Sequence, residues 1–70
     1  MTNDLQKKIA RRLKTHRENI QLSQLEIANL AGVSSNYYAR LERGESMPSA
    51  ETIVKLAKAL KVSSTDILGN

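Results

Sequence analysis

Asn36 and Arg40 are the side chains of this 70-residue sequence that best match the hydrogen-bonding edges of nucleic-acid bases. They stand one helical turn apart. In the major groove of duplex DNA, an asparagine amide pairs bidentately with adenine and an arginine guanidinium with guanine. Ser34 and Ser35 place short polar side chains just before them, as a helix N-terminus needs where it approaches base edges. We therefore predict base readout by these four residues. A plain helix cap is the alternative for Ser34, and a solvated charge is the alternative for Arg40.

Gln24 and Tyr37 are candidates for contacts with the sugar-phosphate backbone of DNA. Gln24 stands at the start of a predicted helix, where the backbone N–H groups already favour a phosphate. The alternative is a glutamine that faces solvent. Tyr37 is expected on the exposed side of its helix, because its neighbour Tyr38 takes the core direction together with Leu41. From there its ring can touch a sugar-phosphate or a thymine methyl.

Two short helices and a tight turn are predicted to position these side chains. Ser23-Gln24-Leu25-Glu26 is an S-x-x-E capping box, which opens one helix. Gly32 ends that helix, because glycine takes a left-handed backbone at little cost. Ser34 then caps a second helix, which runs to Arg43 and stops at Gly44.

This spacing describes a helix-turn-helix over about residues 24–43, with a recognition helix over about 35–43. Ala28 supplies the small side chain needed where two helices cross closely, and Val33 supplies an apolar side chain that fills the core behind the turn. From spacing alone, a generic helical hairpin remains the alternative.

The rest of the sequence predicts three further helices and no strand. Asn3 or Asp4 can cap the most N-terminal helix, Ser49 caps the fourth, and Ser63-Ser64-Thr65-Asp66 repeats the capping-box pattern before the fifth. Apolar residues recur at helical spacing in these segments: Leu5, Ile9 and Leu13, then Ile53, Leu56, Ala57 and Leu60, and finally Ile67 and Leu68. We predict an all-α fold of five helices that forms one domain over residues 1–70.

A joint pattern of residues also resembles a known family. It reads Leu22-Ser23-Gln24, Ala28, Gly32-Val33-Ser34, Leu41-Glu42-Arg43-Gly44 and Pro48-Ser49. From about Ile9 to Leu68 the chain resembles the lambda-repressor-like, Cro/XRE helix-turn-helix family. The resemblance implies a compact five-helix domain that binds operator DNA as a two-fold dimer, with its third helix in the major groove.

The resemblance also implies roles for individual residues. The family's base-reading and phosphate-binding positions fall respectively on Ser34, Ser35, Asn36 and Arg40, and on Gln24 and Arg43. Tyr38 departs from the pattern, since Ile or Val usually stands there, and its hydroxyl must find water or a partner. Leu30 stands where the family usually has a polar residue, so its side chain is expected to be exposed.

Arg17 and Glu42 are predicted to form a structural salt bridge. Leu5, Ile9 and Leu13 make a core-facing stripe, and Arg17 is the next member at the same spacing. Glu42 follows the core residue Tyr38 by four, so both charges are expected at the edge of the core, where neither is tolerated without a partner. The resemblance implies the same pair, and two unconnected surface charges are the alternative.

The predicted dimer interface consists of Val62, Ile67 and Leu68. These residues are apolar and lie near the C-terminus, where members of the resembled family often pair. A five-helix monomer can bury the same three side chains, so that alternative stays open.

Composition excludes several kinds of site. With no cysteine and one histidine, His16, which we interpret as a surface residue, the sequence predicts no thiol chemistry, disulfide or metal site. We find no nucleophile–base pair and no phosphate-binding loop, so we expect no enzyme activity, no cofactor and no small-molecule ligand. No apolar run is long enough to span a membrane, and the stripe of residues 4–17 is too narrow and lacks the aromatic anchors for binding to a membrane surface.

The charge of the sequence points to a polyanionic partner. The formal net charge is +4, and residues 1–23 carry this excess with six basic and two acidic side chains. The basic residues are Lys7, Lys8, Arg11, Arg12, Lys14 and Arg17. A polyanion-binding patch is one interpretation, and a solvated helix face is the alternative.

We therefore predict a transcriptional regulator that binds double-stranded DNA sequence-specifically as a homodimer. It is expected to be encoded by a bacterium or a phage and to act in the cytoplasm, on the nucleoid when bound. Because we see no stretch left for an inducer-binding domain, we expect its occupancy to follow protein concentration and salt. The alternative is a DNA-binding antitoxin or another interaction module of the same fold, although no extra toxin-wrapping segment is evident.

Overall fold

Five α-helices make up most of residues 4–69, the part of the chain that the computed structural model describes. They are α1 (Asp4–Asn19), α2 (Gln24–Ala31), α3 (Ser35–Glu42), α4 (Ala50–Leu60) and α5 (Ser64–Leu68). Within these residues there is no strand, and the all-α, five-helix prediction is confirmed. Asp4 is the first helical residue of α1 rather than a cap before it, and Asn3 lies outside the described residues.

Serine side chains begin four of the helices, as the sequence predicts. Ser23, Ser34, Ser49 and Ser63 each accept a hydrogen bond from the backbone N–H three residues further on. In α2 and α5 the acidic side chain at that third position bonds back to the serine N–H, which completes both predicted capping boxes. Each such cap contributes about 1 kcal/mol, enough to decide where a helix of eight residues starts.

Glycine and the turn geometry end the two central helices. Gly32 has φ +74°, a left-handed conformation that turns the chain after α2. α3 ends at Glu42, one residue before the predicted end, with Arg43 as its C-cap and Gly44 at φ +75° behind it.

One hydrophobic core joins all five helices. Its fully enclosed side chains include Leu13 of α1, Ile27 of α2, Tyr38 of α3, Leu56 of α4 and Ile67 of α5. Burying one aliphatic side chain of this size contributes roughly 1.5–3 kcal/mol, so the shared core rather than any single helix stabilises the fold.

Helix α3 packs against both α1 and α2. Helix α4 packs on α2, and α5 packs on α1 and α4. Ala28 is completely buried and Val33 packs partly buried against the core, which agrees with the roles predicted for them. Leu30 is 65 % exposed, as expected from its position. Leu5 is 42 % exposed and lies at the edge of the core rather than within it. Within residues 4–69, no helix has the length and apolar character needed to cross a membrane.

Candidate nucleic-acid interface

The outer face of α3 carries the polar side chains predicted to read bases. Asn36, Arg40 and Arg43 all have exposed side chains, whereas Tyr38 and Leu41 of the same segment are buried. At 3.6 residues per turn, the three exposed residues lie within roughly 60° of one another around the helix axis, and Tyr38 lies on the opposite side. The core contact of Tyr38 therefore turns this polar face outward.

Ser34 and Ser35 lie exposed at the N-terminal end of α3. Ser34 is the N-cap, and its Oγ accepts a hydrogen bond of 3.1 Å from the Tyr37 backbone N–H. A hydroxyl that accepts in this way still has its own hydrogen to donate, so capping and a DNA contact by Ser34 are compatible. Ser35 is the first residue of the helix.

Both arginines of the outer face have intramolecular partners that the sequence reasoning missed. Arg40 Nη2 donates to Ser46 Oγ at 3.1 Å. Arg43 makes a two-bond pair with Glu45, in which Nε donates to Oε2 at 2.9 Å and Nη2 donates to Oε1 at 3.2 Å. The hydrogen bond from Arg43 lowers the pKa of Glu45, and the hydrogen bond to Glu45 raises the pKa of Arg43.

Arg17 and Glu42 are brought together by the structure, as the helical spacing predicts. Arg17 Nε donates to Glu42 Oε2 at 2.6 Å and Nη2 donates to Oε1 at 3.1 Å. The two side chains are only 13 % and 4 % exposed. Arg17 Nη1 also donates to the Leu22 carbonyl at 2.8 Å, so the pair ties the end of α1 to α3 and to the chain that enters α2.

Gln24 belongs to the same network. Its Nε2 donates to Glu42 Oε1 at 3.0 Å, and its side chain is half-buried rather than directed freely into solvent. Burial disfavours ionisation of Glu42, but the hydrogen bond and charge of Arg17, the nearby Tyr38 hydroxyl and the Gln24 amide together outweigh it, so the pKa of Glu42 is lowered. An amide nitrogen carries two hydrogens, so Gln24 retains one donor for an anion at the start of α2.

The two tyrosines of α3 differ in burial. Tyr37, expected on the exposed side of the helix, is half-buried and packs against the core cluster. Tyr38 is completely buried, as predicted. Its hydroxyl, which was expected to find water or a partner, has no hydrogen-bond partner of standard geometry among residues 4–69. Burial raises the pKa of Tyr38, and the nearby carboxylate of Glu42 adds to the shift.

Four of the six Lys and Arg residues of α1 form an exposed surface, whereas Arg12 and Arg17 are half-buried. Lys7, Lys8, Arg11 and Lys14 are exposed. Arg12 is half-buried, because its Nη1 donates to the Leu68 carbonyl at 3.4 Å and its guanidinium lies across Gly69 at the end of α5.

His16 is half-buried at a shallow cleft of about 160 Å³ on this side of α1. The cleft is lined by Lys8, Arg11, Arg12, Thr15 and His16. Across residues 4–69, His, Asp and Glu side chains form no group of three that could hold a metal ion.

The predicted dimer residues do not all reach the surface. Ile67 is fully enclosed in the core of its own chain, so it cannot contact a partner directly, and that part of the expectation is corrected. Val62 and Leu68 are half-buried and pack on the outside of the core. Leu68 also lines an apolar groove of about 340 Å³, together with Met47 and Val54.

Comparison with known families finds a match over most of the chain. The helix-turn-helix family profile matches residues 13–67, which include all of α2, α3 and α4. This span contains every residue predicted to contact bases or phosphates.

Two curated proteins illustrate the range of the relatives. The chain is 37 % identical over 62 residues to the cryptic phage CTXphi transcriptional repressor RstR of Vibrio cholerae, covering 89 % of this chain and 55 % of the repressor. It is 38 % identical over 61 residues to the antitoxin PezA of Streptococcus pneumoniae, covering 87 % of this chain and 39 % of the antitoxin. The chain thus spans about half the length of these relatives, or less.

A solved structure of similar size also matches. The restriction-modification controller protein C.AhdI from Aeromonas hydrophila superposes with a TM-score of 0.86 at 34 % sequence identity. The match covers 89 % of this chain and 94 % of the controller protein.

Proposed function

Because the chain belongs to the Cro- and XRE-type helix-turn-helix family, we propose that it regulates transcription by binding duplex DNA sequence-specifically. The members of the family that resemble this chain are transcriptional regulators rather than enzymes. In this proposal α3 lies in the major groove, and residues 1–70 act as one DNA-binding domain with its helix-turn-helix at about 24–43. DNA binding implies action in the cytoplasm of a bacterial cell.

The observation that carries the proposal is the outward polar face of α3. Asn36 and Arg40 are exposed one turn apart, while Tyr38 anchors the opposite side of the helix in the core. A rigid helix that presents an amide and a guanidinium at this spacing suits adenine and guanine edges in the major groove. Ser34 and Ser35 stand at the end of the helix that comes nearest to the bases in this docking geometry.

Backbone contacts are proposed for Gln24, Arg43 and Tyr37. Gln24 has a free amide hydrogen at the N-terminus of α2, where the helix dipole favours a phosphate. Arg43 offers an exposed guanidinium on the same face as Arg40. Tyr37 is half-buried and packs against the core, and we propose that its exposed part contacts the DNA backbone or a thymine methyl at the edge of the interface.

We propose that the functional form is a homodimer, supported by the apolar surface of Val62 and Leu68 with Ile67 packed beneath them. A two-fold dimer requires two half-sites about one helical turn of DNA apart, roughly 34 Å between their centres. The matched variants Leu68→Lys and Thr65→Lys, which add the same charge to α5, test this surface. The first should weaken cooperative binding to a two-half-site duplex. The second, an exposed change nearby, should not.

Selection of bound sequences from random duplex DNA tests the proposed function directly. The proposal expects enrichment of one motif that appears as two related half-sites about 10 base pairs apart. Absence of any enriched motif, under salt conditions where the protein binds random duplex, would contradict sequence-specific binding. Enrichment of a single, unrepeated half-site would contradict the dimer alone.

The similarity to PezA supports a second candidate, a DNA-binding antitoxin. An antitoxin shares the DNA-binding face but also binds a protein toxin, so the two candidates differ in their partner. Co-purification of the natural chain, expressed with its neighbouring gene, separates them. A stoichiometric complex with the neighbour's product favours the antitoxin, and recovery of the regulator without it favours the main proposal.

A further inference from the structure

The exposed ion pair at the end of α3 involves a residue that the proposed interface needs. Arg43 is proposed to contact a DNA phosphate, yet one of the two edges of its guanidinium, the Nε–Nη2 edge, already faces the carboxylate of Glu45 at 2.9 and 3.2 Å. A phosphate and a carboxylate bind the same planar fork of a guanidinium. One guanidinium edge cannot make both two-bond contacts at the same time.

The backbone turn after α3 places the carboxylate of Glu45 close to that helix. Gly44 adopts a left-handed conformation at φ +75°, which ends the helix and brings the next residue back toward it. The Glu45 backbone N–H then donates to the Arg40 carbonyl at 3.0 Å. Glu45 is thus anchored by its backbone beside the outer face, with its carboxylate within reach of Arg43 and in the field of Arg40.

Glu45 is the one carboxylate of residues 35–49 that solvent and DNA can reach. The other acidic residue of this segment, Glu42, is 4 % exposed and committed to Arg17, whereas Glu45 is 52 % exposed. On the outer face, Glu45 therefore offsets one of the two positive charges contributed by Arg40 and Arg43.

We propose that Glu45 is an affinity-determining residue that competes with DNA phosphate for the guanidinium of Arg43. In the free protein Glu45 occupies the Nε–Nη2 edge of Arg43, and a phosphate must displace the carboxylate to make its two-bond contact with that edge. The competition is reversible, because both partners of the pair are more than half exposed and an ion pair of this kind is weak. Glu45 thereby lowers the affinity of the protein for DNA of any sequence, and it makes that affinity less dependent on salt concentration. This inference rests on the proposed function.

The test compares Glu45→Gln with a matched control, Glu51→Gln. Both changes remove one exposed negative charge and keep the shape of the side chain. Glu51 lies in the first turn of α4 and faces Lys55 at 3.5 Å instead of a residue of the interface. Affinity for a fixed random-sequence duplex is measured between about 50 and 200 mM salt, where each additional released ion changes affinity about 3.5-fold.

For Glu45→Gln we expect tighter binding to DNA at low salt. A plot of log affinity against log salt concentration should also be steeper by about one released ion. Glu51→Gln should change the slope by less than half of that. In an Arg43→Gln background, Glu45→Gln should have no larger effect than Glu51→Gln, because the guanidinium that it competes for is gone. Circular dichroism checks that each variant is folded, so that the binding values are comparable.

Two results would overturn the inference. The first is an equal effect of Glu45→Gln and Glu51→Gln in the parent protein, which would mean that net charge alone sets the affinity. The second is an undiminished effect of Glu45→Gln in the Arg43→Gln background, which would mean that Glu45 repels DNA without acting through Arg43. Both leave the proposed function intact, since that fails only if the parent protein shows no sequence-selective binding to duplex DNA.

Discussion

Removal of either partner of the Arg17–Glu42 pair should destabilise the protein severely. Glu42→Ala leaves the guanidinium of Arg17, which is 13 % exposed, with the Leu22 carbonyl as its remaining acceptor in the network. Arg17→Ala leaves a carboxylate that is 4 % exposed with the amide of Gln24 as its remaining hydrogen-bond donor from the network. Breaking a buried pair in this way costs about 3–5 kcal/mol, because the surviving charge stays desolvated without compensation.

The size of this effect is large for a chain of 70 residues. Domains have roughly 0.05–0.15 kcal/mol of stability per residue, so the total here is about 4–10 kcal/mol. For domains of this size each 1 kcal/mol shifts the melting temperature by about 4–8 °C, so a loss of 3 kcal/mol lowers it by about 12–24 °C. Glu42→Gln keeps the volume of the side chain and part of its hydrogen bonding, so we expect a smaller cost of about 1–3 kcal/mol. That variant remains measurable if the alanine variant is unfolded.

The pH dependence gives a second, independent signature of the pair. In the parent protein the pKa of Glu42 is lowered, so its contribution to stability is present above the unfolded-state pKa and is lost as the pH falls through the folded-state pKa. Arg17→Ala removes the largest influence that lowers the pKa of Glu42, while burial, which raises it, remains. The stabilisation that Glu42 loses as the pH falls is therefore smaller in the variant than in the parent. The stability difference between parent and Arg17→Ala should therefore be larger near about pH 7 than near about pH 4.

The assay is urea denaturation followed by circular dichroism, applied to the parent, both single variants and the double variant. A double-mutant cycle should give a coupling free energy of about 2 kcal/mol or more between Arg17 and Glu42. Glu51→Ala serves as the control, since it breaks an exposed i,i+4 pair with Lys55 that is worth less than about 1 kcal/mol. The reasoning is refuted if the coupling is near zero, or if Glu42→Ala costs no more than Glu51→Ala.

Two further predictions concern positions next to the interface. Gly32→Ala should destabilise the protein by about 1–2 kcal/mol through backbone strain alone, because φ is +74° and no atom lies within 4 Å of the added Cβ. Gly32→Asn should cost less in the same denaturation assay. Equal costs of the two substitutions would contradict the strain argument. Tyr38→Phe should leave the free energy of unfolding within about 1 kcal/mol of the parent or raise it, because the buried hydroxyl makes no standard hydrogen bond within residues 4–69. A loss of more than about 2 kcal/mol in thermal or urea unfolding would reveal a partner for that hydroxyl.

Sequence patterns predicted the helices because their ends have local chemical causes. Ser23 and Ser63 open capping boxes, and Gly32 ends α2, through interactions that span only a few residues. The profile match over residues 13–67 confirms the family that the same residues suggested. Periodicity along two helices was also enough to predict that Arg17 and Glu42 meet, since both lie on core-facing stripes.

The sequence did not predict the hydrogen bonds and ion pairs that depend on the tertiary arrangement. The bond between Gln24 and Glu42 depends on how closely α2 approaches the end of α3, which no local pattern specifies. The Arg43–Glu45 pair joins residues only two apart, but it forms because the left-handed Gly44 reverses the chain direction, and helical spacing rules do not apply across such a turn. Ile67 was expected to serve a dimer surface because apolar character alone does not distinguish a core residue from an interface residue.

The central claim, that α3 reads bases, is tested most directly by the binding of Asn36→Ala to two duplexes, the motif enriched by selection and a random sequence. Asn36 carries no charge and is exposed, so its loss should neither weaken phosphate attraction nor unfold the domain. We expect binding to the selected motif to weaken by about 5- to 150-fold, which corresponds to 1–3 kcal/mol, while binding to random duplex changes by less than about twofold. Equal changes on the two duplexes would contradict base readout by Asn36 and with it the proposed docking of α3.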